Sequence, residues 1–246
     1  MSQHATVALK RTGAKVNRAT CADTVYNAIK AGYRLLDGAG DYGLRRAIAD
    51  GIVKREDLWN TFHARDHYVD PAHRYPPEWW GDDKKVTSPR FPCRRLGPME
   101  ELVDLGLAKN IGVSNCQGSI LQDILRYSRY EPAVNQVELH PYLTQEPLIK
   151  LCKTLGIAIT AYSSLGPKAT IASKHSKTTA QVLLRWSVQQ GLAVIPKSNN
   201  HDRLVQNLDV DQFTLGEDEI KAISSLNINL RLNDPAEIDP RMAIFA

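Results

Sequence analysis

Four times along this chain a helix-like stretch ends in a glycine, an apolar run follows, and polar residues close the unit. The first copy reads Ala28-Ile29-Lys30-Ala31-Gly32-Tyr33-Arg34-Leu35-Leu36-Asp37. The second is Leu102-Val103-Asp104-Leu105-Gly106, leading into Ile111-Gly112-Val113-Ser114-Asn115. The third spans Leu151 to Ser164 around Gly156, and the fourth Val188 to Ser198 around Gly191. Glycine just past a helix end takes the left-handed conformation that closes the helix. A continuous apolar run then suits a strand buried on both faces, as parallel sheets require. Polar residues at the C-terminal ends of such strands are where α/β folds gather their sites. Ala133 to His140 is a fifth strand candidate, and Thr178 to Trp186 reads as a capped amphipathic helix start. The fold class expected is α/β with a parallel sheet.

Composition narrows the class. The chain has 246 residues, 43% hydrophobic and 24% charged, with 31 Lys+Arg against 27 Asp+Glu. That balance is globular rather than disordered. The length suits one domain over residues 1–246, and a (βα)₈ barrel takes about 250 residues. The net charge of +4 is modest, and the basic pairs Arg45-Arg46, Lys84-Lys85 and Arg94-Arg95 are scattered, so nucleic acid is not an expected partner. No apolar run reaches a membrane span, and Met1 to Thr6 does not begin a signal peptide. Cys21, Cys93, Cys116 and Cys152 lack metal-site spacing and are expected to stay reduced, so no metal is expected. These features point to a cytoplasmic protein.

Gly38-Ala39-Gly40-Asp41-Tyr42-Gly43 matches the G-x-G-x-x-G fingerprint of a Rossmann unit between a strand and the helical stretch Leu44 to Ile52. No strand leads to Glu56 or Asp57, the acidic residues near the required distance. A second reading of the same segment uses more of the chain. Gly32 to Gly43 resembles the signature of the aldo-keto reductase family, a strand ending in Asp with Tyr five residues later. Ile111-Gly112-Val113-Ser114-Asn115, Asn135-Gln136-Val137-Glu138-Leu139-His140-Pro141, Ala161-Tyr162-Ser163-Ser164-Leu165-Gly166 and Ile195-Pro196-Lys197-Ser198-Asn199 resemble it too, in the family's order. The Tyr75-Pro76-Pro77 loop and Leu230 to Pro235 are most similar to the fungal xylose reductase branch.

This resemblance implies a (βα)₈ TIM barrel that binds NADPH (NADH being possible) and reduces an aldehyde or ketone by hydride transfer. It makes Tyr42 the proton donor and Asp37 its supporting carboxylate. Ser114, Asn115 and Gln136 match residues that hydrogen-bond the nicotinamide carboxamide. Tyr162 matches the aromatic that stacks on the ring, with Ser163 beside it on the cofactor side. Lys197, Ser198, Asn199 and Arg203 match the pocket for the adenosine 2′-phosphate, and Gln206 and Asn207 adenine-side contacts. Lys and Arg offer charge-assisted bonds that NAD could not use. The implied partner is a small-molecule carbonyl substrate, the implied assembly a monomer or homodimer. His140 matches no catalytic position and reads as a satisfied structural histidine. Trp79 and Trp80 line a pocket or anchor a loop.

The chain departs from the family where its lysine and histidine belong. Lys54-Arg55-Glu56-Asp57-Leu58 runs directly into Trp59-Asn60, without the third-strand lysine. Phe62-His63-Ala64-Arg65-Asp66-His67 jumps to Tyr68-Val69-Asp70-Pro71, past the fourth strand that carries the histidine. Residues 54–98 hold no apolar run of strand quality. The expectation is an incomplete barrel lacking its third and fourth strands, with Lys54, His63 and His67 the nearest substitutes. A mis-spliced or wrongly predicted gene and a genuinely shortened barrel both account for this. A catalytically impaired NADPH-binding barrel is the alternative function, and a Rossmann dehydrogenase a third.

Overall fold

The computed structural model describes residues 7–8, 31, 35–37, 59–61, 97–106, 108–165, 170–198, 200–234, 236 and 245. Among these, seven strands form two sheets. β1 (Val7–Ala8), β2 (Leu35–Asp37) and β3 (Trp59–Thr61) lie in that order, paired parallel. β4 (Gly112–Ser114), β5 (Val134–Glu138), β6 (Ala158–Tyr162) and β7 (Ala193–Val194) form the second sheet in sequence order. β4 pairs parallel to β5, and β6 parallel to β7.

The helices alternate with the second set of strands. They are α1 (Gly97–Asp104), α2 (Gly118–Tyr127), α3 (Glu146–Thr154), α4 (Thr179–Gln189), α5 (His201–Leu208) and α6 (Glu217–Ser224). The glycine punctuation is confirmed at three positions, and the fourth, Gly32, lies outside the described residues. Gly106, Gly156 and Gly191 have φ of 67°, 71° and 82°, the left-handed cap that any Cβ would strain. Thr178 caps α4 reciprocally with Gln181, as the sequence predicts. The strand reading needs one amendment within 54–98. Trp59–Thr61 is not an apolar run, yet it takes the third-strand position by pairing Leu35 with Trp59 and Asp37 with Thr61. Its backbone pairing with β2 defines that strand.

The chain divides into two compact units, each described by itself. The first takes Met1–His63, Glu138–Gln145 and Thr160–Leu230; the second Ala64–Val137, Glu146–Ile159 and Arg231–Ala246. In the first, Val182, Leu183, Leu184 and Trp186 of α4 are buried together with Leu204, Leu215 and Ile223. Trp186 places its Nε1 proton on Ser224 Oγ at 3.0 Å, so the largest buried side chain leaves no polar atom unpaired. In the second, Ile111 and Ile124 form a core flanked by Met99, Val103, Val113, Cys116 and Ile120. There the buried Glu100 accepts the backbone N–H of Arg129 at 2.6 Å, and Arg129 pairs with Asp104 at 2.7 Å.

A carboxylate cluster in the first unit gives a pH-dependent contribution to stability. Glu219 accepts from Lys174 Nζ at 2.8 Å, from the Gly216 N–H at 2.8 Å, and lies 3.0 Å from His175 Nε2. The Lys174 ammonium first, then the Gly216 N–H, lower its carboxyl from 4.5 to about 2. A depressed carboxyl stabilises the fold fully above its unfolded value and loses that contribution as pH falls through the folded one. Glu219→Gln is therefore expected to lower Tm at neutral pH, and the two melting curves to converge between pH 4.5 and 2. A Tm difference that stays constant across that window would contradict the assignment.

Candidate active site

In the second unit, β4 is forced close to β5 at its start. A Cβ on Gly112 would sit 2.8 Å from the Val134 carbonyl oxygen, so glycine is required there. The strand then ends in Ser114, exposed, and Asn115, which has a left-handed φ of 57°. Ser114 Oγ and the Asn115 N–H both donate to the Gln136 carbonyl oxygen at 2.9 Å. Three of the four residues expected to face the nicotinamide are thus joined through one backbone oxygen. Asn115 and Gln136 form further contacts of their own.

In the sequence Asn135 is only part of a motif, and the structure gives it a role. Its side chain, fully buried, donates to the Cys116 carbonyl at 2.8 Å and accepts the Cys116 N–H at 3.4 Å. It therefore ties the turn after Asn115 to β5 as one peptide group pairs with another. No periodicity reveals this, because an Asn in a buried strand has no partner readable from sequence. Cys152 is a free, buried thiol, and burial pushes its pKa up. Cys21 and Cys93 lie outside the described residues.

In the first unit, the fourth nicotinamide-side residue, Tyr162, ends β6 with 8% of its surface exposed and packs with Ile195. Ser163 follows at a left-handed φ of 55°, and Ser164 Oγ donates to the Ala161 carbonyl at 2.8 Å. β7 leads through the buried Ile195 and Pro196 to a half-buried Lys197 and a buried Ser198. Ser198 Oγ accepts the Asn200 N–H at 3.1 Å, and Asn200 Oδ1 caps α5 by accepting the Arg203 N–H at 3.0 Å. Arg203 and Gln206 are exposed and Asn207 is buried, spaced three and four residues apart on one side of α5.

Neither Lys197 nor Arg203 has an acidic partner among the described residues. A lysine shortly before α5 and an arginine in its first turn are residue types suited to a phosphate. A serine, an asparagine and a glutamine gathered at strand ends suit a carboxamide. Each set, within its own unit, fits one of these two groups of a dinucleotide. Asp37 is placed by its backbone at the C-terminal end of β2. Tyr42 and Asn199 lie outside the described residues, as do Lys54, His63, His67, Trp79, Trp80 and the glycines from Gly38 to Gly43. The described residues hold no cluster of His, Cys, Asp and Glu able to bind a metal, and no helix long and apolar enough to cross a membrane.

His140 departs from the satisfied histidine expected of it. It is fully buried and bonded through Nε2 to Glu138 at 3.1 Å, but its Nδ1 is buried without a partner.

Comparison with known proteins converges on one family. Residues 53–170 and 167–228 match the model of the Aldo/keto reductase family. A probable NAD(P)H-dependent D-xylose reductase of Arthroderma otae is 44% identical, over 94% of this chain and 91% of that protein. A protein of the same description from Emericella nidulans is 45% identical, over 94% and 93%. The crystal structure of Bombyx mori aldo-keto reductase in complex with NADP matches with a TM-score of 0.78 and 30% identity, covering 95% of this chain and 92% of that one.

The Arthroderma alignment runs over 297 positions, whereas 94% of 246 residues is about 231. About 66 positions therefore have no counterpart here, which agrees with the internal losses read from the motifs. The Rossmann reading of Gly38 to Gly43 is set aside, because that segment belongs to a chain matching a different cofactor-binding fold over most of its length. The chain belongs to the aldo/keto reductase family, as an NAD(P)H-dependent oxidoreductase built on the (βα)₈ barrel plan.

Proposed function

We propose that the chain reduces an aldehyde or ketone, with sugar aldehydes the first candidates, using NADPH in preference to NADH. The observation that carries the cofactor choice is Lys197 shortly before α5 and Arg203 in its first turn, neither with an acidic partner among the described residues. A 2′-phosphate offers them charge-assisted bonds that a free hydroxyl does not. The relatives named as D-xylose reductases support a sugar aldehyde as substrate.

The bound cofactor supplies the hydride. Ser114, Asn115 and Gln136 hold the carboxamide, and Tyr162 with Ser163 supports the ring, which selects the face presented to substrate. Tyr42 gives its phenolic proton to the carbonyl oxygen as charge develops there. Asp37 assists Tyr42, whose ordinary pKa of about 10 otherwise disfavours its role near neutrality. Ser198, Asn199, Gln206 and Asn207 complete the adenosine side. Without the family's lysine, the reverse oxidation, which needs the phenolate, is weakened more than reduction. On this reading a single domain acts on small molecules in the cytoplasm, as a monomer or homodimer, without nucleic acid.

The test is steady-state turnover of NADPH with a panel of aldoses, aliphatic aldehydes and ketones. Turnover absent from a Tyr42→Phe control supports the reading; no turnover above that control on any carbonyl rejects it. The 66 or so unmatched positions favour a second reading, an NADPH-binding barrel without chemistry. Saturable quenching or enhancement of NADPH fluorescence without turnover would select that one.

A further inference from the structure

Where β5 ends, two ionisable side chains meet with no solvent contact. His140 Nε2 lies 3.1 Å from Glu138 Oε1, and both side chains are 0% exposed. His140 Nδ1 is buried and has no hydrogen-bond partner among the described residues. A buried pair of polar side chains stabilises a fold little relative to apolar side chains of similar volume, and an orphaned polar atom adds a cost. Packing alone does not call for this pair.

The backbone around it shows what the pair holds. The Glu138 carbonyl accepts Gln145 Nε2 at 2.5 Å, and His140 exchanges backbone bonds with Leu143 at 3.3 and 2.8 Å. Gln145 is left-handed at φ 49°, so His140 to Gln145 forms a tight turn that starts at the pair and closes on the Glu138 backbone. That turn grips a second segment. The Tyr142 carbonyl accepts the N–H groups of Ile228 at 3.3 Å and Leu230 at 2.9 Å. Asn227 Oδ1 accepts the Thr144 N–H at 3.3 Å and the Asn229 N–H at 3.2 Å. Ile228 and Leu230 leave 66% and 41% of their surface exposed. The turn leaves the C-terminal end of β5, the end of a barrel strand at which substrates bind.

We propose that Glu138 and His140 are a positioning pair for the carbonyl substrate, fixing the His140 to Gln145 turn so that the segment Asn227 to Leu230 presents Ile228 and Leu230 to the substrate. The proposal rests on the carbonyl-reductase reading, and amide exchange tests it separately from activity. In His140→Leu, exchange of residues 227–230 is expected to accelerate about tenfold or more, while α4 stays protected. The KM for the carbonyl rises by about tenfold, with the NADPH Kd within about twofold of wild type. His140→Gln keeps an N–H in reach of Glu138 and is expected to restore both.

Unchanged exchange at residues 227–230 overturns the proposal. So does acceleration throughout the first unit, carbonyl KM and NADPH Kd rising together, or His140→Gln failing as His140→Leu does. Should His140→Leu not fold, Glu138→Gln replaces it under the same criteria. A wild-type protein that turns over no carbonyl rejects the carbonyl-reductase reading and, with it, the substrate role; the exchange result still decides whether the pair holds the segment.

Discussion

Tyr42→Phe is expected to lower kcat for carbonyl reduction by about 10²- to 10⁴-fold, the range a single general acid supplies. The aromatic ring remains, so packing and cofactor affinity persist, and the NADPH Kd should stay within about twofold. Only the phenolic proton is lost. As hydride reaches the carbonyl carbon, negative charge accumulates on oxygen, and without an acid it must be carried by water or an unassisted hydrogen bond. The effect should therefore fall on kcat and kcat/KM alike, the pattern of an interaction made in the transition state. Asp37→Asn should act through Tyr42, with a smaller loss and a displaced pH profile. Stopped-flow and steady-state measurement of NADPH oxidation reads both variants. Activity within tenfold of wild type in Tyr42→Phe would show that another group delivers the proton, and His63 and His67 would be the first to examine.

Removing Lys197 and Arg203 is expected to act on cofactor choice rather than on chemistry. A charge-assisted hydrogen bond contributes about 1.5–3 kcal/mol, so Lys197→Ala should raise the NADPH Kd by about 10- to 150-fold. Arg203→Ala should weaken it less, because its exposed guanidinium is already screened by solvent. The NADH Kd should hardly move in either variant, since NADH lacks the phosphate that both cations would bind. The double variant should fall short of the summed single effects, because two cations sharing one phosphate are not independent. Added salt should narrow the preference for NADPH in wild type and leave the double variant unaffected. Fluorescence titration of both cofactors decides the matter. An equal loss of NADPH and NADH affinity would show that the substitutions damage the helix head rather than a phosphate site.

Much of the fold could be read locally because its signals are local. A glycine after a helix answers only to the steric limits of its own φ, and Gly106, Gly156 and Gly191 adopt the left-handed cap on that ground alone. The strand β6 announces itself through a mainly apolar run from Ile157 to Tyr162, broken only by Thr160. Thr178 and Gln181 form their capping box within four residues. The candidate site was legible for a related reason. Strand-end motifs such as Gly112-Val113-Ser114-Asn115 and Ile195-Pro196-Lys197-Ser198 place polar groups where a buried strand stops, and the chain cannot bury them further.

What could not be read depends on partners distant in sequence. Trp59-Asn60-Thr61 carries no strand pattern of its own, and becomes β3 because β2 offers its backbone groups in register. Asn135 is an unremarkable strand residue until the Cys116 peptide group meets its side chain. His140 looks satisfied in one dimension, and only packing shows one ring nitrogen held by Glu138 and the other left bare. Sequence by itself determined the α/β class, the helix ends, the family and the order in which candidate cofactor ligands leave the strands, since each rests on steric or polar demands within a few residues. Tertiary structure alone decided the third strand's pairing, the clamp on the Ser114–Asn115 turn and the buried pair at which the turn after β5 starts. Those depend on hydrogen bonds between segments that only the folded chain brings into contact.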